Sequence, residues 1–147
     1  MRLFLFPYNR QNNFIMATIF TRIINGEIPC YRIAEDERYF ALLDINPLRA
    51  GHTLVVPKVE TDYIFDLSDD QLSGLILFSK KVAKAIRSAI PCNRIGVAVI
   101  GLEVPHVHIH LIPMDSMEDI NFKKPKLKFT PEEHRAIAES ISKKVVL

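Results

Sequence analysis

The chain has 147 residues and a mass of 16.8 kDa, with 48% apolar and 24% charged residues and a mean hydropathy of +0.10. That is one domain of ordinary globular sequence, which excludes disorder over most of its length and any need for a disulfide or metal staple. A net charge of +2 is too small a bias for broad binding to nucleic acid or an anionic membrane, and no apolar run approaches the roughly 20 residues that span a bilayer.

Residues 1–16 (MRLFLFPYNRQNNFIM) differ from the rest. They hold no acidic residue and show neither helical nor strand periodicity. The apolar run Leu3 to Phe6 is too short for a signal-peptide core. The reading is an N-terminal extension, 1–16, ahead of a single domain over 17–147 with Met16 as the natural start. Without Arg2 and Arg10 the domain carries as many basic as acidic residues.

Thr18 to Asn25 reads as a short helix closed by Gly26 and Pro29. Tyr31–Asp36 and Tyr39–Ile45 read as two strands joined by a tight charged turn, and His52–Lys58 as a third. Ser68 with Gln71 is a capping-box signature, and Leu72, Leu75, Ile76, Val82, Ala83, Ile86 and Ile90 then recur at helical spacing up to Pro91. Arg94–Ile100 and His106–Ile112 are the fourth and fifth strands. Thr130-Pro131-Glu132-Glu133 opens a last helix running to about Lys144. Three strands, a long helix, then two strands predict an α+β fold with a five-stranded antiparallel sheet, one long helix and short flanking helices. The phosphate loops GxGxxG and GxxxxGK[ST] are absent. Cys30 and Cys92 form no CxxC and read as free thiols in a reducing cytoplasm, the expected location.

Three of the five histidines alternate with apolar residues in His106-Val107-His108-Ile109-His110. On a strand the imidazoles share one face, which should look into a cleft or solvent, because three imidazoles in an apolar core would lack partners. A polar edge strand, a metal site using a neighbouring pair, and a catalytic or phosphate-binding site all fit this pattern. The third uses it most fully. An imidazole with a reference pKa near 6.5 is roughly three-quarters neutral at pH 7 and can act as a nucleophile, while cationic neighbours hold a phosphate.

The run His106 to Pro113 resembles the HφHφHφφ signature of the histidine-triad (HIT) superfamily. Ile19-Phe20-Thr21-Arg22-Ile23-Ile24 with Gly26-Glu27-Ile28-Pro29 is similar to that family's opening. Leu43-Asp44 with Pro47, then Gly51-His52 and Val55-Val56-Pro57-Lys58, is similar to its second and third strands. The likeness covers about Thr18 to Met114 and is strongest to the Hint-like branch. It implies a homodimer whose two sheets join, a small AMP-like nucleotide substrate, no cofactor, and hydrolysis or transfer of a nucleotidyl group through a covalent nucleotidyl-histidine. It implies His108 as nucleophile at the α-phosphate, His110 near the phosphate, His106 as orienting residue and His52 as their supporter. It also implies Asp44 as acceptor from the ribose hydroxyls and Phe20, Ile23, Leu42 and Ile45 as the clamp on the base. The chemistry implied is that of a nucleoside phosphoramidase. A dinucleoside polyphosphate hydrolase and a non-catalytic nucleotide-binding or adaptor protein are the alternatives.

Two departures stand out. Hint-like proteins have a longer loop before the triad, with an Asn and a Gly-Gln-Ser facing the phosphate. Here Val99 to His106 is shorter: Ile100 replaces the amide, Gly101 follows, and Glu103 stands where the hydroxyl would be. A carboxylate there favours a cationic leaving group over an anionic one, or serves as an acid. Many bacterial relatives carry CxxC in the opening helix as part of a zinc site. The matching positions are Thr18 and Thr21, so no structural zinc is expected.

Overall fold

The computed structural model describes residues 17–147, and the extension expected over 1–16 lies outside them. The described chain runs α1 (Ile19–Ile24), β1 (Arg32–Glu35), β2 (Tyr39–Leu43), β3 (Thr53–Pro57), α2 (Asp69–Ala89), β4 (Arg94–Ala98), β5 (Ile109–Met114) and α3 (Pro131–Ser142). Short 3-10 turns at Ile64–Asp66 and Met117–Ile120 complete it. The strands form one antiparallel sheet in the order β1-β2-β3-β5-β4, so the expected α+β architecture holds.

The central strands β2 and β3 are buried on both faces, and their alternation sorts side chains into two cores. Tyr39, Ala41, Leu43 and Val55 pack with Ile109 and Leu111 against Leu75, Phe78, Val82 and Ile86 of α2 and Ala138 and Ile141 of α3. On the other face Phe40, Leu42, Leu54 and Val56 pack with Phe20 of α1. The capping box of α2 forms as the sequence predicts, Ser68 and Gln71 each satisfying a backbone N–H of the other. Its buried stripe differs in one place: Phe78 faces the core, while Ile76 is 49% exposed. Gly74 explains the close approach of α2 to the sheet. A Cβ there would overlap the Tyr39 hydroxyl, which donates to Gln71 O at 2.9 Å.

The fifth strand begins later than its sequence suggests. Val107 N–H donates to Thr61 O at 2.7 Å and His106 N–H to Val104 O at 2.8 Å, which draws this stretch out of the ladder. The last paired positions are Ile109, opposite Val55, and His110, opposite Ala98. His106 and His108 therefore sit on irregular backbone leading into β5, and only His110 is a strand residue.

Candidate active site

The β2–β3 turn brings the first two functional side chains together. Asp44 N–H donates to His52 O at 3.0 Å, and His52 N–H to Arg49 O at 3.0 Å. Gly51 makes this turn with φ +89°, and a Cβ there would stand 2.9 Å from Ile90 Cγ1, so glycine is required on both counts. His52 then enters β3 facing His110 across the β3–β5 pairing, with ring centroids 5.2 Å apart.

The hydrogen bonds fix the tautomers of His52, His106, His108 and His110, because a backbone N–H can only donate and a carbonyl can only accept. Leu48 N–H donates to His52 Nδ1 at 3.0 Å, so the neutral ring carries its proton on Nε2. That Nε2–H donates to His110 Nδ1 at 2.9 Å, which leaves His110 with its own proton on Nε2. His108 Nδ1–H donates to the His106 carbonyl at 2.7 Å, which leaves the His108 Nε2 lone pair free. His106 is fully buried, contrary to the expectation of an exposed imidazole face. It does not lack partners: Nε2–H donates to Pro57 O at 2.7 Å, and Nδ1 lies 2.7 Å from Thr18 Oγ1.

Burial, then the nearby His110 and Lys126, pulls the His52 pKa down to about 3. Burial, then the nearby His108 and Lys126, pulls His110 down to about 4. His106 is lowered by burial as well. His52 and His110 are therefore neutral at pH 7, so the expectation that the neighbours of His108 hold phosphate as cations is corrected: His110 offers a neutral N–H donor. The Asp44 carboxyl is raised by burial, while one of its oxygens accepts from Asn46 N–H at 2.9 Å and the other lies 3.6 Å from His52 Nε2.

A cavity of about 350 Å³ opens over this group. It is lined by Asp44, Asn46, His52, His108 and His110, by Ile100 to Glu103, and by Phe122 and Lys126. The structure thus gathers Asp44, His52, His108, His110, Gly101 and Glu103 around one space. The four apolar residues expected on a base are placed differently. Phe20 and Leu42 are buried in the second core with Ile23 packed against it, Ile45 is 62% exposed, and none of the four lines this cavity. Phe20 does pack on the triad, its ring centroid 5.2 Å from that of His108. Phe122 and Lys126 are absent from the sequence reading. Phe122 sets its ring edge-on to His110 at 4.9 Å, and Lys126 Nζ donates to Phe122 O at 2.8 Å. They fall in a lysine-rich stretch without periodicity, where a lone Phe after the triad strand is the one available signal.

Among the described residues, one group of side chains has donor atoms close enough to share a metal ion: Asp44, His52 and His110, within 4.8 Å of one another. An ion there would displace the proton shared by the two rings.

The HIT domain family profile matches residues 25–117. The chain belongs to the HIT family. One HIT relative, the adenosine 5'-monophosphoramidase hnt1 of Schizosaccharomyces pombe, is 37% identical over 134 residues, spanning 88% of this chain and 99% of the relative. A HIT-like protein of Bartonella henselae superposes with a TM-score of 0.75 at 29% identity, covering 87% of this chain and 96% of the other. A zinc-bound histidine-triad protein of Mycobacterium smegmatis superposes with a TM-score of 0.67 at 28% identity, covering 85% and 93%. In this HIT chain Thr18 places a neutral hydroxyl beside His106 and Thr21 a second one against Thr18, and threonine hydroxyls are not among the usual zinc ligands. The opening helix therefore does not fit a zinc site.

Proposed function

We propose that the protein is a nucleotidyl hydrolase that cleaves purine nucleoside phosphoramidates, or closely related nucleotidyl substrates, through a covalent nucleotidyl-histidine on His108. The observation that carries this reading is the pairing of tautomers: a free Nε2 lone pair on His108 beside a neutral Nε2–H on His110, both lining one cavity. The 37% identity to a protein named as an adenosine 5'-monophosphoramidase supports it.

In the first step His108 Nε2 attacks the α-phosphorus and the bond from phosphorus to the amine nitrogen breaks. The positive charge that develops on the His108 ring is stabilised by the His106 carbonyl at its Nδ1–H. The His110 Nε2–H donates to a phosphoryl oxygen. The amine leaves with a proton taken from solvent on the Glu103 side. In the second step water attacks phosphorus, the bond to His108 breaks, and the proton lost by water returns to solvent. Asp44 receives the ribose hydroxyls. None of Phe20, Ile23, Leu42 and Ile45 lines the cavity, so the base extends beyond it, toward exposed Ile45 and half-buried Ile23, with Phe20 and Leu42 buried behind them.

The His108→Ala variant tests this. It should fold and bind AMP as the wild type does, yet hydrolyse adenosine 5'-phosphoramidate at less than about a hundredth of the wild-type rate, a loss typical of a removed nucleophile. Greater residual turnover removes His108 from that role. A second reading, hydrolysis of dinucleoside polyphosphates, is favoured by Lys126, the one cationic side chain lining the cavity among the described residues, which suits a further phosphate. Comparing the two substrates decides between them.

The working unit is a homodimer. Strand β4 is an edge strand; its own Val97 is 59% exposed, Leu102 after it 88%, and Leu77 on α2 59%. Pairing β4 with a second copy would cover that edge and those side chains. A monomeric mass by light scattering at micromolar concentration refutes it.

A further inference from the structure

Buried His106 is held at both ring nitrogens, and the group that holds Nδ1 belongs to a network outside the cavity. Thr18 Oγ1 accepts from Thr21 N–H at 3.2 Å as the N-cap of α1. Its own hydroxyl proton is then left for His106 Nδ1 at 2.7 Å, since Nε2 already carries the ring proton that Pro57 O accepts. Behind Thr18 stands Glu60. One oxygen of its carboxylate accepts from both Thr18 N–H and Thr21 Oγ1–H, each at 2.7 Å. Those two bonds and others hold Glu60 ionised, its pKa below the usual carboxylate value. Thr21 Oγ1, 3.3 Å from Thr18 Oγ1, is a second acceptor for that proton, but the His106 contact is the shorter, and with the proton there every donor from Glu60 to Pro57 has an acceptor.

We propose that Thr18, anchored by Glu60, is a positioning residue for the nucleophile. The inference rests on the reading of His108 given above. Thr18 locks the tautomer and ring orientation of His106, and the carbonyl of that residue holds the Nδ1–H of His108 at 2.7 Å. A His106 ring released from this socket lets the residue shift and its carbonyl with it, so that His108 can carry its proton on Nε2, which removes the nucleophilic lone pair. Glu60 acts one step further back, through the helix start that carries Thr18. It reaches across from the segment after β3, so the two are joined only in the folded domain.

Three variants and one spectrum test this. Thr18→Val keeps the shape and loses the hydroxyl, and kcat for the phosphoramidate should fall about tenfold or more with KM nearly unchanged, because a buried acceptor on His106 is left unpaired. Thr18→Ser should restore most of that loss, and Glu60→Gln should give a smaller loss in kcat. In the resting wild-type protein, imidazole nitrogen shifts should show His106 protonated on Nε2 and His108 on Nδ1. In Thr18→Val the His108 signal should become a mixture of tautomers. Wild-type kcat in Thr18→Val, equal impairment of the Ser and Val variants, or a His106 ring protonated on Nδ1 would each overturn the proposal. If Thr18→Val does not fold, the wild-type spectrum and Glu60→Gln still decide. The spectrum needs no substrate, so it separates failure of this clamp from failure of the hydrolase reading, which the His108→Ala turnover assay addresses.

Discussion

Acidification should destabilise this fold well above the pH range where its carboxylates titrate. His52 and His110 have folded pKa values of about 3 and about 4, against 6.5 for an unperturbed histidine. Between pH 6.5 and 5 the unfolded chain binds two protons that the folded chain refuses, so stability is present in full above pH 6.5 and is lost as pH falls. Each group contributes about 1.36 kcal/mol per pH unit, so 1.5 units and two rings give a loss of about 4 kcal/mol by pH 5. His106, lowered in the same direction, adds to it. Asp44 offsets part of it, because burial raises its pKa and the folded form takes up a proton more readily. Against a total stability of about 5–15 kcal/mol this is a large share. With no tryptophan in the chain, urea unfolding is best followed by far-UV circular dichroism at pH 7 and pH 5. At about 2 kcal/mol per molar urea the midpoint should drop by about 2 M. A change below about 1 kcal/mol, or ring resonances of His52 and His110 that titrate near 6.5, would show that the two rings are not held neutral by burial.

Gly51→Ala should destabilise the protein by about 1–3 kcal/mol, from the left-handed backbone and the clash with Ile90, and should lower kcat further by shifting His52; an unchanged urea midpoint refutes this. Glu103→Gln should slow substrates that release an amine more than substrates that release a phosphate. Equal effects on both classes would remove Glu103 from any leaving-group role.

The alternation of His106 to His110 exposed the site, and the capping residues Ser68 and Thr130 marked the two longer helices, because both are local patterns that local physics enforces. What a local pattern could not give was the direction of the rings. Strand periodicity sends all three histidines to one open face, yet two distant acceptors, Thr61 O for Val107 N–H and Pro57 O for the His106 ring, take the first of them out of the ladder and bury it. The protonation states were hidden for the same reason. A histidine read from sequence is a group that titrates near neutrality, and only the buried bonds from Leu48 N–H through His52 to His110 make these rings fixed neutral donors and acceptors. Their tautomers follow from which backbone groups fold around them. That is why a site whose residue types are legible within five positions still depends for its chemistry on partners, such as Leu48, Pro57 and Thr18, that have no recognisable motif of their own.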